Sequence, residues 1–308
     1  MKKTIRTYSG IGGQAVLEGV MMKNRGKYAV AVRKSDNTVS VEVDEMEEPA
    51  YMKTVRKIPF VRGIFVFVDS LRLGLKSINM SAAIYDGEID GEKTTGKDIA
   101  GTLVSIASFV IAMALFLFLP YFLSELIGRF ITSNAVKAIL EGLMRIAVFI
   151  GYVCLISLMK DVKRLFGYHG AEHKCINCIE TGNPLTVENV RAATRLHKRC
   201  GTSFMILVML ISIVLFFFIR ADSVVIRLCL RILLIPVIAG IAYEIIRLAG
   251  RKDGLLINIL SAPGLWLQRI TTKEPDDEMI EVGIASVEAV FDWRQYLADA
   301  FGKTDLQA

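Results

Sequence analysis

The sequence predicts an α-helical polytopic membrane protein, with about four transmembrane helices, an interfacial helix and a small β-containing segment at the N-terminus. Three observations lead there. The chain is 53% apolar and 22% charged, the charges avoid long windows, and those windows match the length a helix needs to cross a ~30 Å hydrocarbon core. Window 99–126 holds a single charge, Glu125, and window 202–219 holds none. Windows 135–159 and 223–246 are apolar at their centres but carry Lys137, Glu141 and Arg145 in one and Arg227, Arg231 and Glu244 in the other. Each uncompensated central charge costs a few kcal/mol on insertion.

Residues 1–98 read as a cytoplasmic and interfacial segment. The glycine-dense stretch around Gly10, Gly12 and Gly13 matches neither a dinucleotide fingerprint nor a phosphate loop, and predicts a tight turn at a close backbone contact. Apolar and polar residues alternate over 27–34 and 38–45 around Ser35, Asp36 and Asn37, which predicts a β-hairpin. Residues 58–83 mix apolar residues with Arg62, Asp69, Arg72 and Lys76, the pattern of a helix along the membrane interface. A charged linker over 86–97 leads into the first pair of spans, within 99–159. A His/Cys-rich loop follows at 160–201, then the second pair of spans in 202–247, then a helical C-terminal segment, 248–308. There Glu274, Asp276, Asp277 and Glu278 suit a helix start better than a magnesium site, and Trp266 suits an interfacial anchor.

Basic residues set the orientation. Lys160, Lys163, Arg164, Lys174, Arg191, Arg195, Lys198 and Arg199 crowd the 160–201 loop, whereas the connection between the first two spans has little beyond Arg129 and Lys137. The loop and both termini are therefore expected in the cytoplasm of a multi-pass cell-membrane protein. The net charge of +6 reads as attraction to anionic lipid at the inner surface; no basic and aromatic module for nucleic acid accompanies it. The lipid bilayer is the expected partner, with other membrane proteins or a second copy of the chain beside it. The N-terminus lacks the h-region and cleavage site of a signal peptide, so no removal is expected. Glu141 and Arg145 lie at depths comparable to Arg227 and Arg231, about 7 and 14 Å from the outer face, which predicts a structural cross-span pairing.

The chemistry concentrates in the loop. All three histidines and three of the five cysteines fall between His169 and Cys200, and these residue types supply nitrogen and thiolate ligands to zinc or another divalent transition metal. Thr186 as N-cap, Glu188 in the first turn and Gly201 at the end predict a helix over 187–200, with His197 and Cys200 three apart on one face. Three readings remain open. His169, Glu172 and His173 form an inverted zincin pattern, in which two histidines bind the metal and Glu172 takes a proton from bound water, with Glu244 as third ligand. Cys175, Cys178, His197 and Cys200 have the spacing of a closed structural zinc site. In the third reading the histidines are hydrogen-bonding residues of a packed domain with no metal. A disulfide between Cys175 and Cys178 is disfavoured in the reducing cytosol. Cys154 and Cys229 fall inside spans as small buried residues.

The segments GGQAVLEGVMM, HGAEHK, LTVENVR, HKRCGTSF, AYEIIRLAGR and PGLWLQRITTKEPDDEMIEVGIASVE together resemble the YqhQ-like family over nearly the whole chain. That family comprises bacterial membrane proteins of unknown function described as predicted metal-dependent enzymes. The resemblance implies a metal site at His169, Glu172 and His173, joined by His197 and Cys200. It also implies that the site does not depend on Cys175 and points to Cys178 as a thiolate. The expected activity is metal-dependent, hydrolytic chemistry at the membrane face. The alternative expectation is an accessory or scaffold subunit of a membrane complex, for example in protein insertion or secretion, with a structural zinc site.

Overall fold

The computed structural model describes residues 7–46, 50–87, 107–218 apart from 109, 113, 129 and 132, 223–251 and 254–303. The linker over 88–97 and the start of the first span lie outside them.

The N-terminal segment holds four antiparallel strands in meander order, β1 Gly12–Val16, β2 Gly19–Asn24, β3 Lys27–Arg33 and β4 Val39–Glu45. The expected hairpin is β3 and β4, turning at Asn37 with φ 68°. The glycine-dense stretch forms a second hairpin, β1 and β2, where a turn was expected; its two-residue connection passes through Glu18 at φ 48°. Alternation sorts the side chains by face. Val20, Met22 and Ala31 point one way, and Val16, Met21, Val30 and Val32 the other. Because β3 is buried on both faces and β4 alternates with its outer residues exposed, the sheet is covered twice at its centre and once at its edge.

The covers are helices. α1 (Ala50–Val55) leads into α2 (Val61–Asp86), whose Leu73 and Ile84 close one face. The other face packs on α5 (Lys160–Glu180) and α10 (Asp277–Glu288) through Ile176, Ile179, Ile280 and Val287. Burying each such side chain contributes about 1.5–3 kcal/mol. Gly167 and Gly170 argue against a helix by propensity, yet both lie inside α5. A Cβ at Gly170 would come 2.0 Å from the Lys273 carbonyl oxygen, and one at Gly167 2.6 Å from Met279 Sδ. Both mark points where chain must pass close to the helix.

A π turn over Ala114–Phe118 enters α3 (Leu119–Gly128), followed by α4 (Asn134–Ile156), α7 (Gly201–Phe217) and α8 (Val224–Arg251). Three stretches, Val110–Gly128, Val136–Ile156 and Cys229–Gly250, are long and apolar enough to cross a membrane. The fourth expected span, α7, is apolar but has 17 residues, which rise roughly 26 Å. The expected cross-span pairing forms with Arg231. Glu141 accepts from Arg145 at 2.8 Å and from both Arg231 Nη atoms at 2.6 and 2.7 Å, and Arg145 also donates to Ser212 Oγ at 3.1 Å. The side chain of Arg227 lies outside the described residues. α9 (Leu255–Thr271) returns along α7, with Gly264 against Ser203, and α10 and α11 (Trp293–Phe301) finish the chain beside the sheet. Asp276 caps α10 by accepting from Met279 N at 2.8 Å, as the acidic run predicts.

The helix expected over 187–200 stops early: α6 covers Val187–Ala192. The cause is competition for carbonyls. Lys174 donates to Arg191 O, Asn177 to Thr194 O and Leu196 O, and His173 to Arg195 O. These bonds peel residues 193–200 into an irregular strap laid along α5. His197 and Cys200 therefore share no helical face.

A candidate metal centre at the end of the strap

α5 sets His169, Glu172 and His173 on the face that meets the strap and the end of α9. His169 Nδ1 lies 2.8 Å from Thr271 O, and His173 Nδ1 lies 2.6 Å from Arg195 O. A carbonyl only accepts, so both rings carry a proton on Nδ1 and turn Nε2 inward. Metal-ligating histidines are commonly fixed in this way by backbone carbonyls. Cys200 opens α7, and its Sγ sits 3.2 Å from His169 Nε2 and 3.1 Å from Thr202 Oγ1. The ligand atoms of His169, His173 and Cys200 all lie within 4.8 Å of one another. Glu172 Oε2 is 3.9 Å from His169 Nε2 and 3.7 Å from His173 Nε2.

The trio is gathered closely enough for one ion to draw its atoms together, the widest pair by up to about 1 Å. Tetrahedral zinc with bonds of about 2.0–2.3 Å sets its ligand atoms roughly 3.3–3.8 Å apart. Two imidazoles and a thiolate favour a borderline or soft ion over magnesium or calcium.

Burial pushes the Cys200 thiol up, but His169 and His173 beside it pull it well below its ordinary value, so it rests as a thiolate. For His169, burial favours the neutral ring and the Cys200 thiolate overrides it, raising the pKa to about 9. Burial raises the Glu172 carboxyl above the usual range, against the pull of both histidines and a Gly13 N–H bond. That bond explains Gly13 on β1. A Cβ on Gly13 would lie 3.0 Å from Glu172 Cγ and 2.4 Å from Met21 O, so only glycine lets the strand press on the carboxylate.

His197 stands beside the trio, its ring centroid 5.4 Å from that of His173, but it faces elsewhere. Its Nε2 is 3.8 Å from Glu180 Oε2 and 3.4 Å from Arg199 Nη2. Burial, helped by Arg199 and His173, drops its pKa to about 3. Gln268 brackets its backbone, accepting from His197 N at 2.8 Å and donating to His197 O at 2.7 Å. The ring buttresses the site from behind.

The other candidates lie apart. Cys178 donates to Pro184 O at 3.3 Å, and burial pushes its thiol up to about 12. Cys175 is buried against Gly283, and burial likewise raises its thiol well above the usual value. The four-ligand set Cys175, Cys178, His197 and Cys200 is not gathered. Glu244, expected as third ligand, forms a fork with Arg62 at 2.6 and 2.5 Å and accepts from Phe60 N at 3.2 Å. α2 reaches α8 at that point and supplies the basic partner that a carboxylate there requires, so Cys200 takes the place Glu244 was expected to fill.

Sequence reasoning passed over the anchoring carbonyls of Thr271 and Arg195, and Gln268, Glu180 and Gly13. Of these only Gly13 and Glu180, seven residues beyond His173 on the same helix face, carry a local signal.

A model of the family described as "Protein of unknown function (DUF1385)" matches residues 58–293. The relative named "Uncharacterized protein YqhQ" from Bacillus subtilis (strain 168) is 35% identical over 286 residues, covering 89% of this chain and 90% of its own. No solved structure matches the chain.

Proposed function

We propose that this chain, which belongs to the DUF1385 family, is a membrane metalloprotein and a metal-dependent hydrolase acting at the inner membrane face. One observation carries the reading. Two histidines locked by backbone carbonyls aim Nε2 atoms at a thiolate, with a buried carboxylate 3.7–3.9 Å away. His169, His173 and Cys200 would hold the ion, zinc by ligand chemistry. The metal would supply Lewis acidity and lower the pKa of a coordinated water. Glu172, held by Gly13 and raised by burial above the usual carboxylate range, is placed to accept a proton as general base. His197, Glu180 and Arg199 fix the strap that carries Cys200.

In this reading α3, α4, α7 and α8 cross the bilayer, and the basic residues of α5 and the strap put the site in the cytoplasm, with both termini on that side. A cysteine introduced at Ser133 should react with an impermeant reagent on intact cells, and one at Lys160 should not. The reverse pattern would overturn the orientation.

Metal analysis of purified protein should find near-stoichiometric zinc or a related ion, lost in Cys200→Ser and His173→Ala. Glu172→Gln should keep the metal and fail to restore the defect of a deletion strain. Native protein purified without metal would end the proposal. A Glu172→Gln variant with metal and full function in cells would instead favour a scaffold subunit whose metal shapes a docking surface.

A further inference from the structure

A cavity of about 560 Å³ lies between β1, β2, α2 and the inner end of α8. Six of its lining side chains are cationic: Lys23, Arg25, Arg56, Arg62, Arg199 and Arg247. No carboxylate lines it among the described residues. Glu244 and Glu180 stand behind the wall, Glu244 paired with Arg62 and, at 3.8 Å, with Arg247, and Glu180 with Arg199. Arg199 Nη1 is buried without a hydrogen-bond partner among the described residues. Like charges gathered around one cavity repel one another, and an anion relieves that cost.

We propose that this cavity binds a phosphate-bearing ligand and that it is the substrate pocket of the metal centre; the second half rests on the function proposed above. Arginine forks match phosphate oxygens, and the volume falls within the range of small-ligand sites. The link to the metal centre is short. Gly12 and Gly13 form part of the cavity wall, and Gly13 touches Glu172 on its far side. Arg199 lines the cavity one residue before Cys200. Tyr243, Ile246 and Leu73 give the cavity an apolar side at the end of a helix long enough to cross a membrane, where an amphiphile would place its headgroup. The phosphate belongs either to a lipid headgroup or to a soluble ester.

Full-length protein stripped of metal with chelator is tested in two arms. Pyrophosphate is titrated calorimetrically in neutral detergent. Melting is compared in phosphatidylcholine nanodiscs with and without phosphatidic acid. Binding of pyrophosphate points to a soluble ester, and stabilisation by phosphatidic acid alone points to a lipid. Arg25→Gln combined with Arg247→Gln should weaken the positive arm at least roughly tenfold. Lys23→Gln serves as a milder variant, with a smaller loss expected, should the double variant not fold. The proposal is overturned if neither probe acts on native protein, or if folded variants bind as tightly as native. Zinc content is measured on parallel samples that have not been stripped. Phosphate binding without metal would sink the metal reading alone, and metal without phosphate binding would sink the pocket alone.

Discussion

Two buried polar clusters in this molecule solve opposite problems. Glu141, Arg145 and Arg231, between α4 and α8, pair at 2.6–2.8 Å, so the carboxylate is saturated with donors. The guanidinium groups also rest on the Phe216 ring at 5.3 and 5.1 Å. His169, His173, Cys200 and Glu172 are equally enclosed, yet their inward atoms mostly stand 3.7 Å or more apart, and the outward atoms of the two rings take the short bonds. The first cluster satisfies itself. The second spends its short bonds on orienting the two rings, and its inward side is held by the looser His169–Cys200 contact at 3.2 Å and by separations of 3.7–3.9 Å around Glu172.

The largest expected effect breaks the self-satisfied cluster. Glu141→Ala leaves two buried cations without their carboxylate and should cost about 3–5 kcal/mol, read as lost expression or a collapsed melting temperature in detergent. Asn177→Ala comes next. It strips the Thr194 and Leu196 carbonyls of their donor and should cost about 1–3 kcal/mol, with weakened metal retention because the strap positions Cys200. Chelation should lower the melting point of native protein by a few degrees and leave it folded, since side-chain orientation does not depend on the ion. Cys200→Ser should abolish that shift; an unchanged shift would remove Cys200 from the ligand set.

The smallest effect concerns Glu172. Burial raises its folded pKa above the unfolded value, so ionisation favours unfolding once pH exceeds the unfolded carboxylate range. Metal-free Glu172→Gln should therefore melt higher than native at neutral pH, with the gap closing below about pH 4. A gap that persists at acid pH would mean that the gain has another source.

Much of this was legible locally. Apolar windows located the long helices, alternation located β3 and β4, and Asp276 announced α10 because its cap bond spans three residues. The strap was illegible because its conformation is decided by donors on α5 between 17 and 22 residues away. The same holds for β1, where Gly10, Gly12 and Gly13 read as a turn until a carboxylate from α5 arrives against Gly13. His169 and His173 were readable from helical spacing. Preferring Glu244 to Cys200 as the third ligand required knowing that Arg62 of α2 lies beside Glu244, a contact between residues 182 apart in sequence.

One carboxylate between two arginines leaves a surplus unit of positive charge fixed inside the bundle of α4, α7 and α8. At 10 Å and an effective dielectric constant of 20, a divalent cation meets about 3 kcal/mol of repulsion from that unit. Such a barrier disfavours a cation approaching that part of the bundle by roughly a hundredfold. On the proposed reading, an ion for the histidine and cysteine cluster would then arrive from the strap's own side of the bundle, against no such charge.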